Sequence, residues 1–89
     1  MNIENEIKIL VNLFNAGKYD LVITKGKKNL KKNPEYLILY NLIGSANLNI
    51  GSYGAAKELF LKAIKMDPGN ISVMNNLANT YKNLDQIDL

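Results

Sequence analysis

A period of 34 residues runs through this 89-residue chain and restricts it to a stacked architecture. Gly17 recurs as Gly51, Tyr19 as Tyr53, Leu30 as Ile64 and Pro34 as Pro68. The stretch from Tyr40 to Pro68 is one whole unit: Tyr40-x2-Ile43-Gly44-x2-Asn47, then Ala56-x3-Phe60, then Pro68. A repeat of this length is a single supersecondary unit. It cannot bury its apolar face alone and must stack on its neighbours to make a core.

Apolar residues at helical spacing predict five helices joined by short connections. Ile3, Ile7, Leu10 and Phe14, with Ile9 and Leu13, place the first over 3–15. Gly17 suits the left-handed position that ends it. The second is expected at about 18–32, with Tyr19, Val22, Ile23 and Leu30 inward. Asn33-Pro34-Glu35 closes it, because the residue before a proline is pushed out of helical geometry. Pro34 then fits an early position of the third helix. That helix, at about 35–50, is apolar almost all round through Tyr36, Leu37, Ile38, Leu39, Tyr40, Leu42 and Ile43. Such a helix is buried on several sides. Gly51-Ser52 turns into a fourth helix at about 53–66, built on Tyr53, Ala56, Leu59, Phe60, Ala63 and Ile64. Asp67-Pro68-Gly69-Asn70 breaks it. A fifth, at about 70–84, repeats the third through Met74-x2-Leu77-Ala78-x2-Tyr81 and ends on Leu84. Asp85 to Leu89 then correspond to a turn and the first residues of a further helix.

Composition removes whole classes of function. There is no Cys, so disulfides and thiolate metal sites are excluded, and no His, which removes the commonest metal ligand and general base. No Gly-rich phosphate loop or metal-ligand spacing occurs; an enzyme is not expected, nor a cofactor or metal. The aromatics Tyr36, Tyr40, Tyr53, Phe60 and Tyr81 sit at core spacing. No 18-residue apolar run exists and Met1-Asn2-Ile3-Glu4 lacks the pattern of a secretory leader. The expectation is a chain without a membrane segment, located in the reducing cytoplasm. The net charge of +3 lies wholly in residues 1–36, where seven Lys face four acids, while residues 37–89 are neutral. Lys25, Lys27, Lys28, Lys31 and Lys32 cluster on the second helix. Without Arg or interleaved aromatics this reads as a solvated face whose cations suit the helix C-terminus, not as a nucleic-acid site.

The repeat motif and its spacing resemble the tetratricopeptide repeat (TPR) family over nearly the whole chain. The resemblance implies an all-α fold of antiparallel helix pairs stacked in a right-handed superhelix. Repeat one spans 3–36, repeat two 37–70 and a partial repeat three 71–89. The whole is a single domain, 1–89, expected to be the N-terminal piece of a longer chain. Repeat one departs from the pattern, with Leu10 where repeat two has Gly44 and Gly26 where it has Phe60. A large-for-small exchange matched by small-for-large roughly conserves volume; Leu10 is expected to fill the space at Gly26.

The resemblance further implies a binding scaffold whose ligand lies in a concave groove lined by the first helix of each repeat. That groove comprises Ile7, Val11, Phe14 and Asn15 from repeat one, flanked by Glu4 and Lys8. Repeat two supplies Ile38, Asn41, Ser45, Leu48 and Asn49. Repeat three supplies Asn75, Asn79 and Lys82, with Ser72, Asn76 and Asn83 beside them. Asn carries donors and an acceptor, so a row of them can pair with peptide backbone of any sequence. The stretch Met74–Tyr81 is also similar to repeats that guide protein substrates to glycosyltransferases. The family's carboxylate clamp for chaperone tails uses Lys and Asn in repeat one and Lys and Arg in repeat three; the matching positions here, Ile7, Val11, Leu42, Ser72 and Asn76, supply no positive charge. A protein or peptide partner follows. Two alternatives stand beside it. One is the docking arm of a larger glycosyltransferase- or sulfotransferase-like enzyme. The other is a self-assembly module whose uncapped fifth helix presents Leu77, Tyr81 and Leu84 to a second copy, by oligomerisation or domain swapping.

Overall fold

A computed structural model describes residues 2–87 and contains α1 (Ile3–Asn15), α2 (Tyr19–Lys32), α3 (Leu37–Asn49), α4 (Tyr53–Met66) and α5 (Ile71–Ile87). Each helix packs against the next in the chain, which bears out the all-α repeat architecture. Asn2 caps α1, its Oδ1 accepting from the Asn5 N–H at 2.9 Å. Asn70 caps α5 in the same way, accepting from the Val73 N–H at 3.0 Å.

The two intra-repeat corners are built identically. Gly17 and Gly51 adopt φ of 76° and 84°, a left-handed conformation that a side chain would strain. Lys18 N–H reaches back to Leu13 C=O at 2.9 Å, and Ser52 N–H to Asn47 C=O at 2.9 Å. These long back-bonds satisfy carbonyls that would otherwise be orphaned at a helix end. One period further on stands Asp85, without glycine's freedom, and α5 does not turn there. It continues through Asp85 to Ile87, which corrects the expected stop after Leu84. Asp88 and Leu89, the rest of that expected turn, lie outside the described residues.

The connections between repeats are a second type of turn. Tyr36 N–H bonds Asn33 C=O, and Asn70 N–H bonds Asp67 C=O, each at 3.1 Å. Pro34 lies in this turn and not in α3, which begins at Leu37. Buried Tyr40 fixes the turn from within, its hydroxyl donating to Pro34 C=O at 2.6 Å. Tyr40→Phe leaves that carbonyl short of a partner. It is expected to cost about 1 kcal/mol, read as a lower urea midpoint at unchanged helicity.

Two clusters form the core. Leu10, Leu39 and Ile43 join α1 to α3, with Ile7, Ile23, Leu30 and Leu42 packed around them. Tyr40, Ala56, Phe60, Ala63 and Val73 join α3, α4 and α5, with Leu37, Leu48, Leu59 and Leu77 around them. Six of the thirteen α3 residues are buried, so the all-round apolar helix is the central one. It approaches α4 closely at Gly44, where an added Cβ would stand 2.6 Å from the Phe60 ring. Gly26 is equally tight, but the atoms that crowd it belong to Ile43, at 2.6 and 2.9 Å. Ile43 of the next repeat, not Leu10, fills the space left by the missing aromatic. Leu10 is fully buried elsewhere in the same cluster.

Candidate functional site: the inner helix layer

Contacts run α1 to α3 and α3 to α5, while among the described residues α2 and α4 do not meet. The stack therefore closes around its odd-numbered helices, and these line the inner face. α3 is anchored to α5 there by a polar junction. Asn76 Nδ2 donates to Asn41 Oδ1 at 3.0 Å and to Ser45 Oγ at 3.4 Å, and Asn41 Nδ2 reaches Ser72 Oγ at 3.5 Å.

The groove residues named from spacing divide into three groups. Val11 and Ile38 are exposed on the inner layer at 37% and 45%, although both are apolar. Asn15, Asn49, Asn75, Asn79 and Lys82 are also exposed. A second group is partly covered. Ile7 packs on the Leu10–Leu39–Ile43 cluster and Leu48 on the Tyr40–Phe60 cluster, each leaving an edge at the surface. Phe14 is engaged at the α1–α2 corner, where its ring meets Tyr19 edge-on with centroids 5.2 Å apart. The third group, Asn41 and Ser45, is bonded across the repeat boundary as described.

The amides form a less open row than their number suggests. Asn49 Nδ2 donates to Ser45 C=O at 2.8 Å and Asn83 Nδ2 to Asn79 C=O at 2.8 Å, each within its own helix. Buried Asn47 does the same to Ile43 C=O at 2.9 Å. Nothing in the residue types distinguished an asparagine facing its own helix from one facing a partner. The Asn41–Asn76 pair lies one residue beyond the repeat period.

On α5, Tyr81 is 44% exposed and Leu77 and Leu84 are half-buried, with Leu77 packed on the core. Met74, also 44% exposed, belongs beside them. The α2 lysines 25, 27, 28, 31 and 32 are all exposed on the opposite, outer layer. Lys25, Lys28 and Lys32 border a cleft of about 210 Å³ with Glu6 and Asn29. A cleft of about 450 Å³ runs along α4 at Glu58, Leu61 and Lys62. Both are polar-rimmed and shallow, and both lie off the inner face. Among the described residues no three His, Cys, Asp or Glu converge on one point, and no helix is long and apolar enough to cross a membrane.

Helix pairs on a fixed period, each packed on the next, define a helical-repeat fold. Two family models described as tetratricopeptide repeat match the chain, one over residues 37–70 and one over residues 59–89. The chain belongs to the tetratricopeptide repeat family. Its repeats are of the kind that generally mediates protein–protein interaction and is typically non-catalytic.

Proposed function

We propose that the inner face of α1, α3 and α5 holds a peptide segment of a partner protein. The observation that carries this is the exposure of apolar Val11 and Ile38, with half-buried Ile7 and Leu48, on the helices that also bear exposed Asn15, Asn75 and Asn79. Contiguous apolar surface rimmed by polar groups marks an interaction site. The amides supply donors and acceptors for the backbone of the bound segment. The test is selection of random peptides displayed on phage against the full chain, followed by anisotropy titration of the selected sequences. Ile38→Glu places a charge where apolar contact is expected, on a side chain already half in water. It is expected to weaken binding by about tenfold, roughly 1.4 kcal/mol, with helicity unchanged. Selected peptides that bind Ile38→Glu as well as the parent would contradict the reading.

A second reading, self-association through α5, has its own support. Residues 71–81 contain no charged side chain, as residues 37–49 of α3 contain none, and α3 is covered on several sides. One period after Gly44 and Tyr40, the exposed Ala78 and Met74 have no covering helix among the described residues. Under this reading the chain is dimeric by light scattering, and Met74→Glu with Tyr81→Glu makes it monomeric. A parent that stays monomeric over a wide concentration range would contradict it.

A further inference from the structure

The junction between repeats two and three has a counterpart one period earlier, and the two differ completely in chemistry. Asn41 and Ser45 of α3 face Ser72 and Asn76 of α5, joined by three hydrogen bonds. Displaced by one repeat, the same positions are Ile7 and Val11 of α1, Ile38 and Leu42 of α3. Every member of the first set is a neutral amide or hydroxyl; every member of the second is aliphatic. Ile7 and Leu42 are rooted in the core, whereas Val11 and Ile38 stand out from it. At these eight positions the inner face is therefore split into an apolar set and an uncharged polar set, with Glu4 and Lys8 beside the first and Lys82 of α5 outside the second.

The polar set retains hydrogen-bonding capacity. Asn76 uses its amide N–H groups and Asn41 one of its own within the junction. Among the described residues, no bond engages the Asn76 Oδ1 acceptor or the Ser45 and Ser72 hydroxyl donors. One acceptor and two hydroxyl donors complement the N–H and C=O groups of a peptide backbone or a neutral side chain. A carboxylate or ammonium would find no counter-charge at any of the eight positions, and desolvating an unpaired charge is costly.

We infer that this groove selects an extended, locally uncharged peptide with one aliphatic or aromatic side chain seated at Ile7–Val11–Ile38–Leu42 and neutral polar residues at Asn41–Ser45–Ser72–Asn76. The inference rests on the groove reading above and specifies its ligand. Adjacent helix axes lie about 10 Å apart. An extended chain advances about 3.3 Å per residue. The apolar anchor and the centre of the polar segment are thus about three residues apart.

The test is the composition of random peptides selected on phage by the full chain and by two exchange variants. The parent is expected to enrich one apolar position, with Ser, Thr, Asn, Gln or Gly about three residues to one side and charged residues depleted between. Val11→Ser with Ile38→Ser gives the junction of repeats one and two the residues that the junction of repeats two and three carries at those positions. It should abolish the apolar enrichment while polar selection persists. Ser45→Val with Ser72→Ile makes the reverse change and should enrich a second apolar position; it decides the matter if the first variant fails to fold by circular dichroism. Unordered apolar enrichment, enrichment of charged residues, or motifs unchanged in a folded variant would overturn the inference while leaving groove binding intact. Failure of the parent to select any peptide would overturn both.

Discussion

Phe60→Ala is expected to remove about 3–5 kcal/mol from a domain whose total stability is on the order of 4–13 kcal/mol. The ring is fully buried and lies so close to α3 that a Cβ on Gly44 would sit 2.6 Å from it. It belongs to the cluster that joins α3, α4 and α5, so its loss loosens both faces of α4 at once. The cavity cannot collapse easily, because Gly44 offers no side chain to move into it. Denaturant unfolding followed by circular dichroism should show a much lower midpoint at unchanged slope. A loss under about 1 kcal/mol would mean that the ring does not hold α4 on α3. Gly44→Ala approaches the same contact from the other side. Its gain of about 1 kcal/mol in helix propensity is opposed by overpacking of about 1–3 kcal/mol.

Ile43→Ala is the second large expected effect, at about 2–5 kcal/mol. Ile43 is fully buried and occupies the space over Gly26 that an aromatic takes in repeat two. The pair makes a sharper test than either residue alone. In the parent, Gly26→Ala drives a Cβ to 2.6 Å from Ile43 Cγ1 and should destabilise. With Ile43→Ala already present the obstruction is gone, and Gly26→Ala should then stabilise by up to about 1 kcal/mol through helix propensity. The two substitutions are therefore strongly non-additive, as expected of residues in contact. Additive effects would place the Ile43 side chain somewhere other than over Gly26.

The Gly44–Phe60 contact was legible because the small residue and the aromatic recur at fixed places in the repeat. What fills Gly26 was not. Pairing Leu10 with Gly26 treated the repeat as self-contained, whereas in a stacked array the nearest side chain often comes from the following unit. The continuation of α5 past Leu84 was missed for the opposite reason. The period placed a turn at Asp85, but the glycine that makes that turn possible at Gly17 and Gly51 is absent there, and the local chemistry outweighs the register. Within the groove, exposed apolar residues such as Val11 and Ile38 could be read from helical spacing. The engagement of Phe14 by Tyr19 depends on how the Gly17 corner folds, and the Asn41–Asn76 bond on how closely α3 approaches α5. Neither can be read from one helix face.

Chemical-shift mapping on isotopically labelled full chain, titrated with a phage-selected peptide, tests peptide binding by the inner layer most directly. The expected result is a contiguous set of shifts on Ile7, Val11, Ile38, Ser45 and Asn75, with Lys25 to Lys32 and the α4 surface unmoved. Shifts centred on the α2 lysines, or on Met74 and Tyr81 of α5 with the inner face silent, would contradict it.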